Sequence, residues 1–287
     1  MEKAPVETEK TYRLANGHDV HYFVYGSTEP TTTLVFIHGA AGSHNVFKYM
    51  IPLLLRPRVR VVAFDVPGNG RTSAAAAGGL ALTEQTIAEA LKEALEGMDE
   101  TAKRGYFLVG QSAGGSTAMQ IAAQTNGLQG LAILNSVGLR PHRHARPFFL
   151  FVFFSWLLSV SKWTRPLALR FIRWFTVTLT AIYPKTTTND TILYSQLRVA
   201  SVNFARLKTS VEQVRAKGVP TFVANTTNDP VMEKEISREL AQAFGQAVVH
   251  KEFSSGGHMI QKTQAKALSE ALLQWTDSIQ LQPLGKL

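Results

Sequence analysis

The chain has 287 residues, 45% of them apolar and 18% charged, with no cysteine and a net charge of +9. That length suits one large α/β domain, or a core domain with an insertion, and the composition excludes a disordered chain. Without cysteine there are no disulfides, no thiolate nucleophile and no Cys-based zinc site. The basic excess is local. Residues 136–217 hold thirteen Lys/Arg against two acids, Asp190 and Glu212, which leaves 17 basic and 19 acidic residues elsewhere.

The first residues, MEKAPVETEKTY, carry no apolar core of a signal peptide, and residues 1–11 read as a flexible tail. Tyr12 to Leu14 and Val20 to Tyr25 flank a turn at Asn16-Gly17-His18 and predict a hairpin. Short apolar runs follow at Leu34–Ile37, Arg60–Phe64, Tyr106–Val109, Leu131–Leu134, Thr221–Ala224 and Ala247–Phe253. Unbroken runs of this length suit strands buried on both faces of a parallel sheet. Amphipathic helical patterns lie between them at Thr83–Met98, Glu233–Phe244 and Thr263–Ile279. Alternation of strand and helix predicts a doubly wound, mostly parallel sheet. The core is expected to span residues 12–137 and 218–287, with a helical cap inserted at 138–217.

Within that insertion Phe148 to Val160 is apolar on every face of a helix, but too short to span a bilayer. Two readings stand: a lid helix packed on the core and lining an acyl pocket, or an interfacial element on an anionic membrane. Arg140, Arg143 and Arg146 before it, Lys162, Arg165, Arg170 and Arg173 after it, and the tryptophans 156, 163 and 174 suit the second, for residues 138–183, without displacing the first. A cytoplasmic or peripheral membrane location is expected. His142 and His144 could ligate a metal, but their arginine neighbours favour a solvated basic loop. No nucleic-acid-binding module accompanies the positive charge.

Tyr106–Val109 runs straight into Gly110-Gln111-Ser112-Ala113-Gly114, and a small-residue helix start follows. A serine on such a strand-to-helix turn is held clear of the sheet with its hydroxyl exposed. It needs a base, and a carboxylate to orient the base. His258, after the last strand, and Asp229, after the fifth run, lie at loop positions able to reach it. Asp229 could instead merely cap a helix before Pro230. The position after the preceding strand, an alternative for the acid, is Asn135, which is no carboxylate. Backbone N–H groups of Ala113 and of Ala40, in the loop His38–Ser43, are candidates for an oxyanion hole. His38 and Gly39 support that loop, and Gly110 and Gly114 the nucleophile turn. Asp65 and the Pro67–Arg71 loop shape a turn beside the site.

Taken in order, His38-Gly39-Ala40-Ala41-Gly42, Asp65 to Thr72, Gly110-x-Ser112-x-Gly114, Asp229-Pro230 and Gly257-His258 resemble the α/β-hydrolase superfamily, most nearly its cap-bearing, epoxide-hydrolase-like branch. The resemblance runs from about Tyr12 to Ile279 and lapses only in the insertion. It implies Ser112, Asp229 and His258 as a triad, with no metal and no organic cofactor. Dehalogenases and epoxide hydrolases carry Asp where this chain has Ser112. The expected activity is therefore that of an esterase- or lipase-like serine hydrolase, cleaving an ester, thioester or amide of a small apolar acyl-type substrate. A carbon–carbon bond hydrolase with the same triad, and a ligand-binding receptor on a hydrolase scaffold, are the alternatives.

Overall fold

In a computed structural model, residues 7–98 and 105–281 are described. They build one eight-stranded sheet: β1 (Thr8–Arg13), β2 (Asp19–Gly26), β3 (Thr32–Ile37), β4 (Val59–Phe64), β5 (Tyr106–Gln111), β6 (Leu128–Leu134), β7 (Thr221–Thr226) and β8 (Val249–Phe253). The strand order is β1-β2-β4-β3-β5-β6-β7-β8. β2 runs antiparallel to both β1 and β4, and all other pairs are parallel. β1 opens at Thr8, so residues 8–11 belong to the sheet rather than to a tail, because their backbone pairs in register with Tyr22 to Val24 and His21 of β2.

The runs that form β3 to β7 are buried on both faces, as expected, but the run at Ala247–Phe253 forms β8, an edge strand with one partner whose residues are mostly exposed. Val35, Ile37, Leu108 and Ile133 point to one face, and Leu34, Phe36, Phe107 and Ala132 to the other. Alternate residues of β3 to β7 enter different cores, so neither face of these strands can be polar. The first face is covered by α1 (Glu84–Gly97), α2 (Ala113–Gln124), α6 (Phe204–Ala216) and α7 (Lys234–Phe244). The second is covered by a helical turn at Ile51–Leu54 and by α8 (Ala265–Gln280), whose Trp275 stands edge-on to Phe107 at 5.4 Å. α1 starts where the sequence places it: the Thr83 hydroxyl accepts from Thr86 N at 3.1 Å, and the Thr86 hydroxyl caps Thr83 N in return.

Between β6 and β7 the chain leaves the sheet for α3 (Phe148–Val160), α4 (Arg165–Arg173, continued as a π-helical turn to Leu179) and α5 (Asn189–Ala200). α3 packs against α4 and α5. α6 behaves differently. It lies against α2 and α7, with Leu207, Val211 and Val214 in the main core. The expected cap therefore ends near Val202, and α6 is part of the sheet's helical layer. Its basic sequence hid this, because only one stripe of the helix is apolar.

Candidate active site

Ser112 stands at the end of β5, with φ 54° and ψ −126°, and α2 begins at the next residue. Left-handed φ at a non-glycine residue is strained, and here it turns the side chain away from both strand and helix. The turn closes only because its neighbours lack side chains. A Cβ at Gly110 would sit 2.5 Å from Gly114 O, and one at Gly114 would sit 2.1 Å from Ile37 O. The Ser112 amide donates to Leu134 O at 3.0 Å, and its carbonyl accepts from the Ser136 hydroxyl, also at 3.0 Å.

The Ser112 hydroxyl lies 2.9 Å from His258 Nε2, and His258 Nδ1 lies 2.8 Å from Asp229 Oδ2. With Asp229 as acceptor, Nδ1 carries the proton and Nε2 is free to accept from Ser112. The Asp229 side chain is essentially buried, while His258 keeps a small exposed edge. The two oxygens of Asp229 serve different partners, and the N-cap position of the following helix α7 is Glu233, not Asp229. Oδ2 receives the imidazole, while Oδ1 caps the turn by accepting from Val231 N at 2.7 Å and Met232 N at 3.0 Å. Asn135 has a different task. Its amide donates to the carbonyls of Gly257 and His258 at 2.8 and 3.1 Å, and its oxygen accepts from Thr226 N. It anchors the histidine loop.

The loop of Ala40 runs beside the nucleophile, and a Cβ on Gly39 would meet Ser112 Cβ at 2.7 Å. His38 is buried beneath it. Nδ1 donates to Gly39 O at 2.7 Å, and Nε2 accepts from Val66 N at 3.0 Å. Burial pushes this imidazole down to about 4, so it remains neutral and holds one tautomer. Asp65 does similar work nearby. Burial alone would raise its carboxyl. Hydrogen bonds from the His44 ring and amide and from the Arg71 amide outweigh that and hold it below the usual carboxylate range. The Pro67–Arg71 loop folds over this carboxylate.

Several supporting residues had no signal in the sequence. The Ala41 amide, at φ 55°, donates to the Ser195 hydroxyl of α5 at 2.8 Å, and that hydroxyl in turn donates to Asn69. Arg198, one turn further along α5, is 0% exposed. It donates to Glu84 at 2.8 Å, to the Thr117 hydroxyl of α2 at 2.7 Å and to His38 O at 3.3 Å. One cap helix thus ties together the oxyanion-loop candidate, the helix behind Ser112 and the start of α1. Their partners are 81 to 160 residues away in the chain, and no local pattern encodes such contacts.

The reading of residues 140–146 as a solvated basic loop needs correction. Arg140 pairs with Glu239 at 2.9 Å, and Arg146 pairs with Glu233. The Arg143 amide donates to Glu233 at 2.9 Å. Two acids from the approach to α7 and from α7 itself draw the loop down onto the core. His142 is buried as a result, and burial pushes its imidazole down to about 4. No group of residues suited to hold a metal ion occurs among the described residues. An apolar cavity of about 290 Å³ lies at the seam of cap and core, lined by Leu80, Leu82, Val152, Trp156 and Leu197, and the three residues Ser112, Asp229 and His258 do not line it.

This fold, with a strained serine, a histidine and an aspartate at the carboxyl ends of β5, β8 and β7, is that of an α/β-hydrolase. The chain belongs to the family described as alpha/beta hydrolase of unknown function (DUF1057), whose model matches residues 3–272. It is similar to the uncharacterized protein F35H12.5 of Caenorhabditis elegans, 22% identical over 283 residues that cover 86% of this chain and 78% of that protein. Among solved structures it resembles the haloalkane dehalogenase DbeA from Bradyrhizobium elkani USDA94 (TM-score 0.71, 17% identity, 96% of this chain and 99% of that chain). It also resembles a carboxylesterase structure from Nitrososphaera gargenis (TM-score 0.66, 18% identity, 94% and 99%). At such identities the likeness shows the fold, and it is shared by enzymes of different chemistry.

Proposed function

We propose that the protein is a serine hydrolase that cleaves a carboxylic ester, thioester or amide of an apolar substrate through an acyl-enzyme. The observation that carries this reading is the unbroken chain from Ser112 Oγ through the His258 ring to Asp229, with links of 2.9 and 2.8 Å. In the first half-reaction Ser112 Oγ attacks the substrate carbonyl while His258 Nε2 takes its proton. The oxyanion is received by the N–H groups of Ala40 and Ala113. Ala113 is the first residue of α2, where helical amides lack intrahelical acceptors and the helix dipole favours negative charge. The tetrahedral adduct collapses, the bond to the leaving group breaks, and His258 returns the proton to that group. Water then attacks the Ser112 ester by the same route and releases the acid.

The apolar composition of the insertion between β6 and β7 supports an apolar substrate. Purified protein should hydrolyse short p-nitrophenyl esters and be labelled at Ser112 by a fluorophosphonate. Ser112→Ala should lower turnover by about 10⁴-fold or more and abolish labelling. Undiminished esterase activity in Ser112→Ala would refute the proposal, and wild-type protein that resists the fluorophosphonate would mark the scaffold as a binder.

A further inference from the structure

α3 reads FFLFVFFSWLLSV, yet only Ser155 and Leu158 are buried along its 13 residues. Phe149 is 70% exposed, and Phe153, Trp156 and Val160 continue the same stripe at helical spacing. α4 presents a second stripe, Leu167, Phe171 and Trp174, and Trp163 and Leu167 are 79% and 74% exposed. The stripes are one surface. Stacked, edge-on or tilted rings run from Trp156 to Phe153, Phe154, Phe171 and Trp174, with successive centroids 4.4 to 5.9 Å apart. An apolar patch of this extent on a water-soluble face marks an interaction site.

The charges around it select the partner. Lys162, Arg165, Arg170, Arg173 and Lys185 lie on or beside the two helices, and none forms an ion pair among the described residues. Lys162 instead lies over the Trp163 ring, and Arg173 donates to the carbonyls of Thr187 and Lys185. The nearby arginines 140 and 146 are already neutralised by glutamates, whereas these five cations beside the aromatic patch face no carboxylate in an ion pair among the described residues. A second copy of the chain would oppose like charges across such a patch. An anionic bilayer satisfies both features, since the rings enter the boundary between headgroups and acyl chains and the cations meet lipid phosphates. No described helix is long and apolar enough to cross a membrane.

We propose that α3 and α4 form a docking face for an anionic lipid bilayer, with Phe149, Phe153, Trp156, Trp163, Leu167 and Phe171 as the inserting side chains and Lys162 and Arg170 as headgroup contacts. The apolar seam cavity opens at this face, since Val152 and Trp156 belong to both. Docking does not depend on the hydrolase reading, because the patch contains none of the triad.

Flotation of the full-length protein with phosphatidylcholine vesicles, with and without phosphatidylglycerol, tests this. Wild type should partition at least tenfold more strongly onto the vesicles containing phosphatidylglycerol, and added salt should weaken it. Phe149→Ser combined with Trp163→Ser, and separately Lys162→Glu combined with Arg170→Glu, should each lower partitioning about tenfold or more with unchanged circular dichroism and melting temperature. Ser112→Ala should float like wild type, which separates this proposal from the catalytic one. Equal partitioning onto both vesicle types, or variants that float like wild type, would overturn the proposal. So would a dimer in solution that dissociates in Phe149→Ser/Trp163→Ser while wild type ignores both vesicles.

Discussion

The helices that start at Ala113 and Phe148 invert the usual relation between apolar character and burial. α2 reads AGGSTAMQIAAQ, and all but its last residue are buried; α3 is far more apolar, and all but two of its residues are at least partly exposed. α2 is wedged between the sheet, α1 and α6, where only small side chains leave room for backbones to approach. α3 packs mainly on α4 and α5, and leaves Phe149, Phe153, Trp156 and Val160 exposed. Burial was decided by what surrounds each helix. The contrast also divides the work: the packed helix fixes Ser112, and the open one offers a surface.

The largest effect should come from the polar clamp behind α2. Arg198→Met leaves the Glu84 carboxylate buried without its cation, and removing one partner of such a pair costs about 3–5 kcal/mol. The melting temperature should fall by roughly 10 °C. Adding Glu84→Gln should restore part of the loss. A shift of under ~2 °C in Arg198→Met would mean that the clamp does not hold the two helices together.

Next come two truncations within α3. Leu158→Ala removes a fully buried side chain and should cost about 2–4 kcal/mol in urea unfolding, whereas Phe149→Ser should stay within about 0.5 kcal/mol. Equal losses would erase the contrast drawn between the two faces of this helix.

The smallest effect is a change of pH slope. His38 and His142 are pushed down to about 4 by burial in the folded protein, while an unfolded histidine titrates near 6.5. Between these values the unfolded chain binds more protons, so stability falls as pH drops from about 6.5 towards about 4. Each histidine contributes up to about 1.4 kcal/mol per pH unit in that window. His142→Phe should remove one of the two contributions, and its Nδ1 leaves no hydrogen bond to lose. An unaltered slope in urea unfolding across that window would show that His142 does not lie buried in its neutral form.

Much of this was legible because it is local. Five of the six runs became β3 to β7, mostly buried on both faces, since such a strand needs little more than an unbroken apolar stretch, whereas the sixth became the exposed edge strand β8, whose sequence VHKEF is mostly polar. Ser112, Asp229 and His258 each follow the end of a strand, and the parallel order β5-β6-β7-β8 brings those ends to one edge of the sheet. The errors arose where the decisive contact was remote. Residues 8–11 looked like a tail because polar residues are acceptable in an edge strand with one partner. α6 looked like cap because its charge resembled that of its neighbours. Residues 140–146 looked solvated because Glu233 and Glu239 lie about a hundred positions further on.

Adjacent residues encode the mostly parallel sheet, the strained serine turn and the loops beside it, because backbone conformation and side-chain periodicity are local properties. Tertiary structure alone decided that Arg198 closes over Glu84 and that the most apolar helix faces outward. Those outcomes depend on which surfaces remain after the sheet and its helices have packed, and packing is a property of the assembled chain rather than of any stretch of it.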